Sequence, residues 1–101
     1  MRLEDLKTKD EVLTRELADP AVRQEWERTA LARAIALRLV EYRAQHGLSQ
    51  TALAGRLAMK QPAIARLEAG EHNPSVDTLT RLAKGLGMEF HMYVTPEGVA
   101  V

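Results

Sequence analysis

Apolar residues recur at the three- and four-residue spacing of amphipathic helices through most of the first 87 positions. Thr8 and Glu11 form a capping-box pattern, which predicts a short helix over about Lys9–Ala18. Asp19 and Pro20 then suit the N-cap and first turn of a longer helix. We expect that helix to run to His46, to be bent or broken near Thr29, and to end at Gly47. Its inner stripe comprises Ile35, Leu39 and Tyr42, with Leu31 and Val40 beside it.

Three shorter helices are predicted after this long segment. The first covers Gln50–Ala58 and is capped by Ser49. The second is opened by Pro62 and runs to Ala69. A turn at Asn73–Pro74 precedes the third, which Ser75 caps and which closes at Gly85 and Gly87. Their predicted inner residues are Ala52, Leu53, Leu57, Ile64, Leu67, Val76, Leu79, Leu82 and Ala83.

The period changes to two near the C-terminus, which predicts a strand over Glu89–Thr95 with Phe90, Met92 and Val94 on its apolar face. A single strand leaves backbone groups unpaired, and no second strand is evident in the sequence. One explanation is that the strand pairs antiparallel with its copy across the two-fold axis of a homodimer. The alternative is an extended tail that lies on the chain's own helices.

The 101 residues allow one small domain and carry no net charge. The charge is uneven, however: residues 1–28 hold 6 basic and 8 acidic residues, whereas residues 29–84 hold 8 basic and 4 acidic residues. The middle of the chain is therefore the part suited to contact phosphates. The absence of cysteine agrees with a cytoplasmic location, and no apolar run approaches the length of a membrane span.

The segment from Leu31 to Gly87 resembles the Cro/C1-type (XRE) helix-turn-helix family. Gly47–Leu48, the Ser49–Gln50 helix start and Ala54 occupy family positions. Further matches follow at the family's spacing: Ile64, the Leu67–Glu68 pair, and the Asn73–Pro74–Ser75 exit. The resemblance implies an all-α, lambda-repressor-like bundle that binds double-stranded operator DNA.

A helix in the major groove presents its N-terminal residues to base edges. Gln61 can pair with adenine and Arg66 with guanine, each through two hydrogen bonds, and the resemblance places both at base-reading positions. Gln50 falls at a family phosphate contact. Each side chain taken alone also fits an ordinary solvated surface. The full set of predicted DNA-contacting residues is Gln50, Lys60, Gln61, Pro62, Ala63, Arg66 and Asn73.

Glu68 has a structural role by the same resemblance, which pairs it with Arg43 in an ion pair between two helices.

Two residues depart from the family pattern. Ala58 stands where a glycine is usual, so a left-handed backbone there is expected to be strained by about 1–2 kcal/mol. Lys60 stands where Ser or Thr usually caps the recognition helix, a loss of about 1 kcal/mol.

The C-terminal strand and about thirty residues before the motif distinguish this chain from simple phage repressors, which continue into a fifth helix. This arrangement looks like the HigA-like antitoxins of type II toxin–antitoxin modules, and the strand is placed like that of HipB. The resemblance implies a protein that neutralises a basic RelE/HigB-like ribonuclease toxin and represses its own operon. The alternative is a stand-alone XRE-family repressor without a toxin.

The candidate toxin-binding residues are apolar residues of the acidic N-terminal third, with Trp26 as the anchor: Leu6, Leu13, Leu17 and Trp26. These residues fit equally well against the chain's own core or across the dimer, because an amphipathic helix has the same pattern whichever surface covers it.

No enzyme, cofactor or metal site is predicted, because the three histidines lack ligand spacing and no phosphate loop or nucleophile motif occurs. The sequence thus divides into an N-terminal helical extension (residues 1–28), a helix-turn-helix domain (29–87) and a C-terminal strand and tail (88–101).

Overall fold

A computed structural model describes residues 15–100 of the chain, and the fold is mostly helical, as the sequence predicts. Residues 15–17 are helical; the rest of the predicted Lys9–Ala18 helix lies largely outside the described residues, as do Leu6 and Leu13. The helices are α1 (Pro20–Arg28), α2 (Ala30–His46), α3 (Gln50–Arg56), α4 (Gln61–Ala69) and α5 (Val76–Leu86). Two short strands follow, β1 (Tyr93–Thr95) and β2 (Gly98–Ala100).

Side-chain caps define the helix starts that the sequence predicts. Asp19 Oδ1 accepts a hydrogen bond from the Ala21 amide at 2.9 Å, and Ser49 Oγ accepts one from the Ala52 amide at 3.0 Å. Ser75 Oγ does the same for the Thr78 amide at 3.1 Å. The predicted break in the long helix is confirmed at Thr29, whose φ of −102° and ψ of 15° separate α1 from α2.

One hydrophobic cluster joins α2 to the three shorter helices. Ile64 of α4 and Leu39 of α2 are fully buried in it. Val76 was expected inside but is 77% exposed, because it is the first residue of α5 and points away from the cluster. Ala52 was also expected inside and is exposed. The buried members are Leu31, Ile35, Leu39, Leu53, Ala54, Leu57, Ile64, Leu79 and Leu82.

Gly85 lies inside α5 and does not end it; the helix continues to Leu86 and ends at Gly87. A Cβ atom at position 85 would come within 2.5 Å of Leu57 Cδ2. The glycine therefore allows α5 to approach the end of α3 closely, which brings α5 beside the turn that leads into α4.

The C-terminal strand differs from the prediction. β1 covers only Tyr93–Thr95, and it pairs antiparallel with β2 of the same chain, with Thr95 opposite Gly98. The expectation that the chain contains no second strand was therefore wrong. Gly98–Ala100 was missed because a three-residue strand that begins with glycine shows no period-two pattern. Val99 of β2 packs against the helical core.

The residues before β1 are extended without belonging to a strand. Phe90 and Met92 are half-buried against the core, whereas Glu89 and His91 are exposed. Arg38 of α2 donates to the Glu89 carbonyl at 2.8 Å, and its guanidinium lies 4.8 Å from the Phe90 ring centroid. This part of the tail lies on the chain's own helices, as the alternative interpretation held.

Within residues 15–100, no helix has the length and apolar character needed to cross a membrane. The same residues contain no group of three or more His, Cys, Asp or Glu side chains arranged to hold a metal ion.

Candidate nucleic-acid interface

The turn between α3 and α4 has the left-handed residue that the sequence predicts. Ala58 has a φ of +53°, and the Met59 amide donates to the Ala54 carbonyl at 2.9 Å. Most residues avoid this conformation because the Cβ atom crowds the backbone, so Ala58 strains the turn by about 1 kcal/mol. Arg81 of α5 donates to the Ala58 carbonyl at 3.2 Å, which supports the turn from outside the motif.

The start of α4 presents polar groups to solvent. Lys60 is the N-cap residue and makes no side-chain cap hydrogen bond, as expected, and Pro62 lies in the first turn. Gln61, Pro62 and Arg66 are exposed, and Ala63 is half-buried. The opposite side of the helix is occupied by the fully buried Ile64. The helix is thus fixed by its apolar side and exposes the residues predicted to contact DNA.

A chain of side-chain hydrogen bonds crosses from α2 to the start of α4. Arg43 binds Glu68 through two contacts of 2.7 Å each, which confirms the predicted ion pair. Gln50 Nε2 donates to Glu68 Oε1 at 3.2 Å, and Gln61 Nε2 donates to Gln50 Oε1 at 2.8 Å. The ion pair therefore holds Gln50, and Gln50 holds Gln61.

The two hydrogen bonds of Gln50 were not predicted from the sequence. Gln50 and Gln61 were expected at the DNA surface and Glu68 in an ion pair with Arg43, with no contact between the two sets. A usable signal existed, because Gln61 and Glu68 are seven residues apart in one helix and so lie on the same face.

The pKa of Glu68 depends on its burial and on its hydrogen-bond partners. The Glu68 side chain has an exposed fraction of 7%. The hydrogen bonds from Arg43 hold the pKa of Glu68 below its ordinary value, and Gln50 adds to this effect against the opposing effect of burial. Glu68 in turn raises the pKa of Arg43. Arg43 also donates to the Leu48 carbonyl at 3.2 Å, so the pair anchors the segment that leads into α3.

The two glutamines retain donor and acceptor groups for DNA. A side-chain amide has two N–H donors and one carbonyl acceptor. Gln61 uses one N–H on Gln50, which leaves its other N–H and its oxygen, the pair that binds the major-groove edge of adenine. Gln50 uses one N–H on Glu68, which leaves a donor for a phosphate oxygen.

Asn73 makes two hydrogen bonds that the sequence did not predict. Its Oδ1 accepts from the Ala32 amide at 3.1 Å, and its Nδ2 donates to the Arg28 carbonyl at 3.0 Å. The side chain thus bridges the end of α1 and the start of α2. It joins the loop after α4 to the break at Thr29, and the residue stays exposed, so its DNA contact remains a prediction.

Arg66 borders a shallow cavity of about 190 Å³ between α4 and the loop that follows it. Ala63, Leu67 and Pro74 line it with apolar surface, and His72 also lines it. An apolar recess beside a guanidinium on the exposed face of α4 suits a thymine methyl group next to a guanine.

Comparisons with known proteins agree with this geometry. A family model described as Helix-turn-helix matches residues 39–91, about half of the chain. A segment of 49 residues, 48% of this chain and 50% of the relative, is 45% identical to an uncharacterized HTH-type transcriptional regulator of Haemophilus influenzae.

A segment of 66 residues, 65% of this chain and 37% of the relative, is 32% identical to the HTH-type transcriptional regulator SutR of Escherichia coli K12. The matching part of the chain thus spans half of one relative and about a third of the other. No solved structure matches the chain significantly.

The lowered pKa of Glu68 predicts a pH-dependent effect of replacing it. Glu68→Gln should reduce the free energy of unfolding at neutral pH by about 1–3 kcal/mol, because Arg43 loses its counter-charge. The native pKa lies below the unfolded value, so the ion pair stabilises fully above the unfolded pKa and loses this effect as pH falls through the native pKa. Urea titrations at neutral and acidic pH should therefore show the two proteins converging in acid. An equal difference at both pH values would contradict the assignment.

Proposed function

Because this chain belongs to the Cro/C1-type (XRE) helix-turn-helix family of DNA-binding transcriptional regulators, we propose that it is a sequence-specific repressor that reads an operator with the start of α4. The observation that carries this proposal is the hydrogen bond between the exposed Gln61 and Gln50. It joins the first residue of α3 to the first residue of α4 and so fixes the position of one relative to the other.

Each residue has a role that follows from its position. Gln61 binds the N6 and N7 edge of an adenine, and Arg66, one turn further, binds the O6 and N7 edge of a guanine. Pro62 and Ala63 lie beside these side chains and contact a thymine methyl. Gln50 and Lys60 bind the flanking phosphates, which sets the register of α4 in the groove.

Replacing the base-reading residues should change sequence preference. Gln61→Ala and Arg66→Ala should each weaken operator binding by about 1–3 kcal/mol and relax preference at one base position. Gln50→Ala should weaken binding to all sequences and also relax the preference read by Gln61, because Gln50 holds that side chain.

Titrations against operator variants would measure these effects, and a double-mutant cycle should show that Gln50→Ala and Gln61→Ala are not additive. Unchanged preference in the Gln61 and Arg66 variants would refute the base-reading assignment.

We further propose that the repressor binds as a homodimer in which two copies of β1 pair antiparallel. β1 and β2 form a two-stranded sheet, so within residues 15–100 no strand lies beside the second edge of β1. Val94 is 82% exposed on that strand, and Phe90 and Met92 fix the preceding residues to the core. A two-fold dimer of this kind would bind an inverted repeat with half-sites about 34–36 Å apart.

A charge on the strand tests the dimer. Val94→Lys should lower the dimer fraction in sedimentation and reduce operator affinity, because it places two lysines at the two-fold axis. Glu97→Gln, in the turn between the strands, raises the net charge by the same amount and should leave the dimer intact. A monomeric wild-type protein, or an unaffected variant, would exclude pairing through β1.

A second candidate function is that of an antitoxin, with α1 as part of the toxin-binding surface. Support comes from α1 itself, which contains no buried residue. Val22 and Trp26 are exposed at 41% and 40%, one turn apart. The Arg33 guanidinium lies 3.6 Å from the Trp26 ring centroid, so the ring is held in place while part of it stays exposed. Leu17, just before α1, is half-buried. A fixed, partly exposed tryptophan suits an anchor for a protein partner.

Co-expression with the product of the adjacent reading frame separates the two candidates. An antitoxin should purify in a stable complex with a small basic protein, and Trp26→Ala should weaken the complex at least tenfold while operator binding is retained. Val76→Ala is the control, because it removes an exposed apolar side chain outside α1 and β1. Purification of this chain alone would establish the stand-alone repressor.

A further inference from the structure

A basic groove lies between the α3–α4 turn and α5. It is open to solvent, has a volume of about 520 Å³, and is lined by the residues Arg56, Ala58, Asp77, Arg81, Lys84 and Gly85 among others. Three of these side chains are cationic and one is anionic, and all four charged residues are exposed. The groove therefore carries a net positive charge although the whole chain is neutral.

Two of the three cations are held in place by the protein. Arg81 Nη1 donates to the Ala58 carbonyl at 3.2 Å, and Arg56 Nη1 donates to the Tyr42 hydroxyl at 3.1 Å. A guanidinium has five N–H donors, so each arginine keeps donors for a ligand. Each hydrogen bond restrains its arginine, which lowers the ordering cost that a ligand would meet.

The groove lies close to the start of α4. Ala58 precedes Gln61 by three residues, and an extended residue spans at most about 3.6 Å. Together with the 3.2 Å contact, this places the Arg81 guanidinium within about 14 Å of the Gln61 backbone. The major groove of B-DNA is about 12 Å wide and is bordered by phosphates on both sides. A duplex whose major groove holds the start of α4 therefore has a line of phosphates within reach of these cations.

We propose that Arg56, Arg81 and Lys84 bind consecutive backbone phosphates at the edge of the major groove that α4 occupies, and that this contact extends the DNA footprint beyond the helix-turn-helix. The inference rests on the proposed DNA-binding function. Asp77 opposes the contact, since its carboxylate lies in the same groove and repels phosphate. An acidic protein segment would also suit the charge of the groove, but the closeness to α4 favours DNA.

Salt dependence of binding to a fluorescein-labelled duplex of scrambled sequence tests the proposal, because phosphate contacts do not depend on sequence. The variant Arg56→Gln/Arg81→Gln/Lys84→Gln should reduce the slope of log affinity against log salt by about 2–3. Between about 50 and 200 mM salt, its loss of affinity should then be about 40-fold smaller than that of the wild type. Asp77→Asn should raise affinity severalfold.

Controls separate this contact from general charge and from misfolding. Arg15→Gln/Arg23→Gln removes two exposed cations at or before α1 and should leave the slope within error. Arg56→Gln/Lys84→Gln keeps the Arg81 contact to the turn and should still reduce the slope by about 2, which provides a folded test if the triple variant unfolds. Thermal melts would establish the fold of each variant.

The outcomes distinguish this inference from the proposed function. A wild type that binds but has the same slope as the double variant overturns the phosphate contact alone, and so does an equal effect of the α1 control. A wild type that does not bind duplex DNA at low salt overturns the proposed function as well. Binding of the groove to an acidic peptide with an unchanged DNA slope assigns the groove to a protein partner and overturns the proposal.

Discussion

The contact between Arg43 and Glu68 sets the arrangement on which the DNA-facing surface depends. It joins α2 to α4 through two short hydrogen bonds, and one of its partners is nearly buried. The same carboxylate orients Gln50, which orients Gln61 at the surface. An ion pair with this burial contributes modestly to net stability, since desolvation offsets much of the attraction. Its value here lies in geometry: it fixes two flexible amides at a defined distance from each other.

Most of the helical architecture could be predicted from the sequence because local chemistry determines it. Asp19, Ser49 and Ser75 cap helices within three residues of their own position, so no distant contact had to be known. The left-handed Ala58 and the ion pair of Glu68 were predicted from the family resemblance, which supplies contacts between residues far apart in sequence. Where neither local chemistry nor resemblance applied, the prediction failed.

Three misses have this common cause. β2 is too short to show a pattern of its own and exists because Val99 packs on the core and Thr95 lies opposite Gly98. The hydrogen bonds of the Asn73 side chain to backbone groups 41 and 45 residues away were not predicted. Gly85 was taken for a helix end, although a glycine is needed there because Leu57, at the end of α3, leaves no room for a side chain. Each of these depends on tertiary contacts, which a single sequence records only indirectly.

The Asn73 bridge has a mechanical consequence for the N-terminal helix. The side-chain amide of Asn73 bonds to the end of α1 and to the start of α2. These bonds attach α1 to the loop that follows α4. A protein that bound α1 would therefore keep a fixed orientation relative to α4. Its size would then decide whether α4 could still enter a DNA groove.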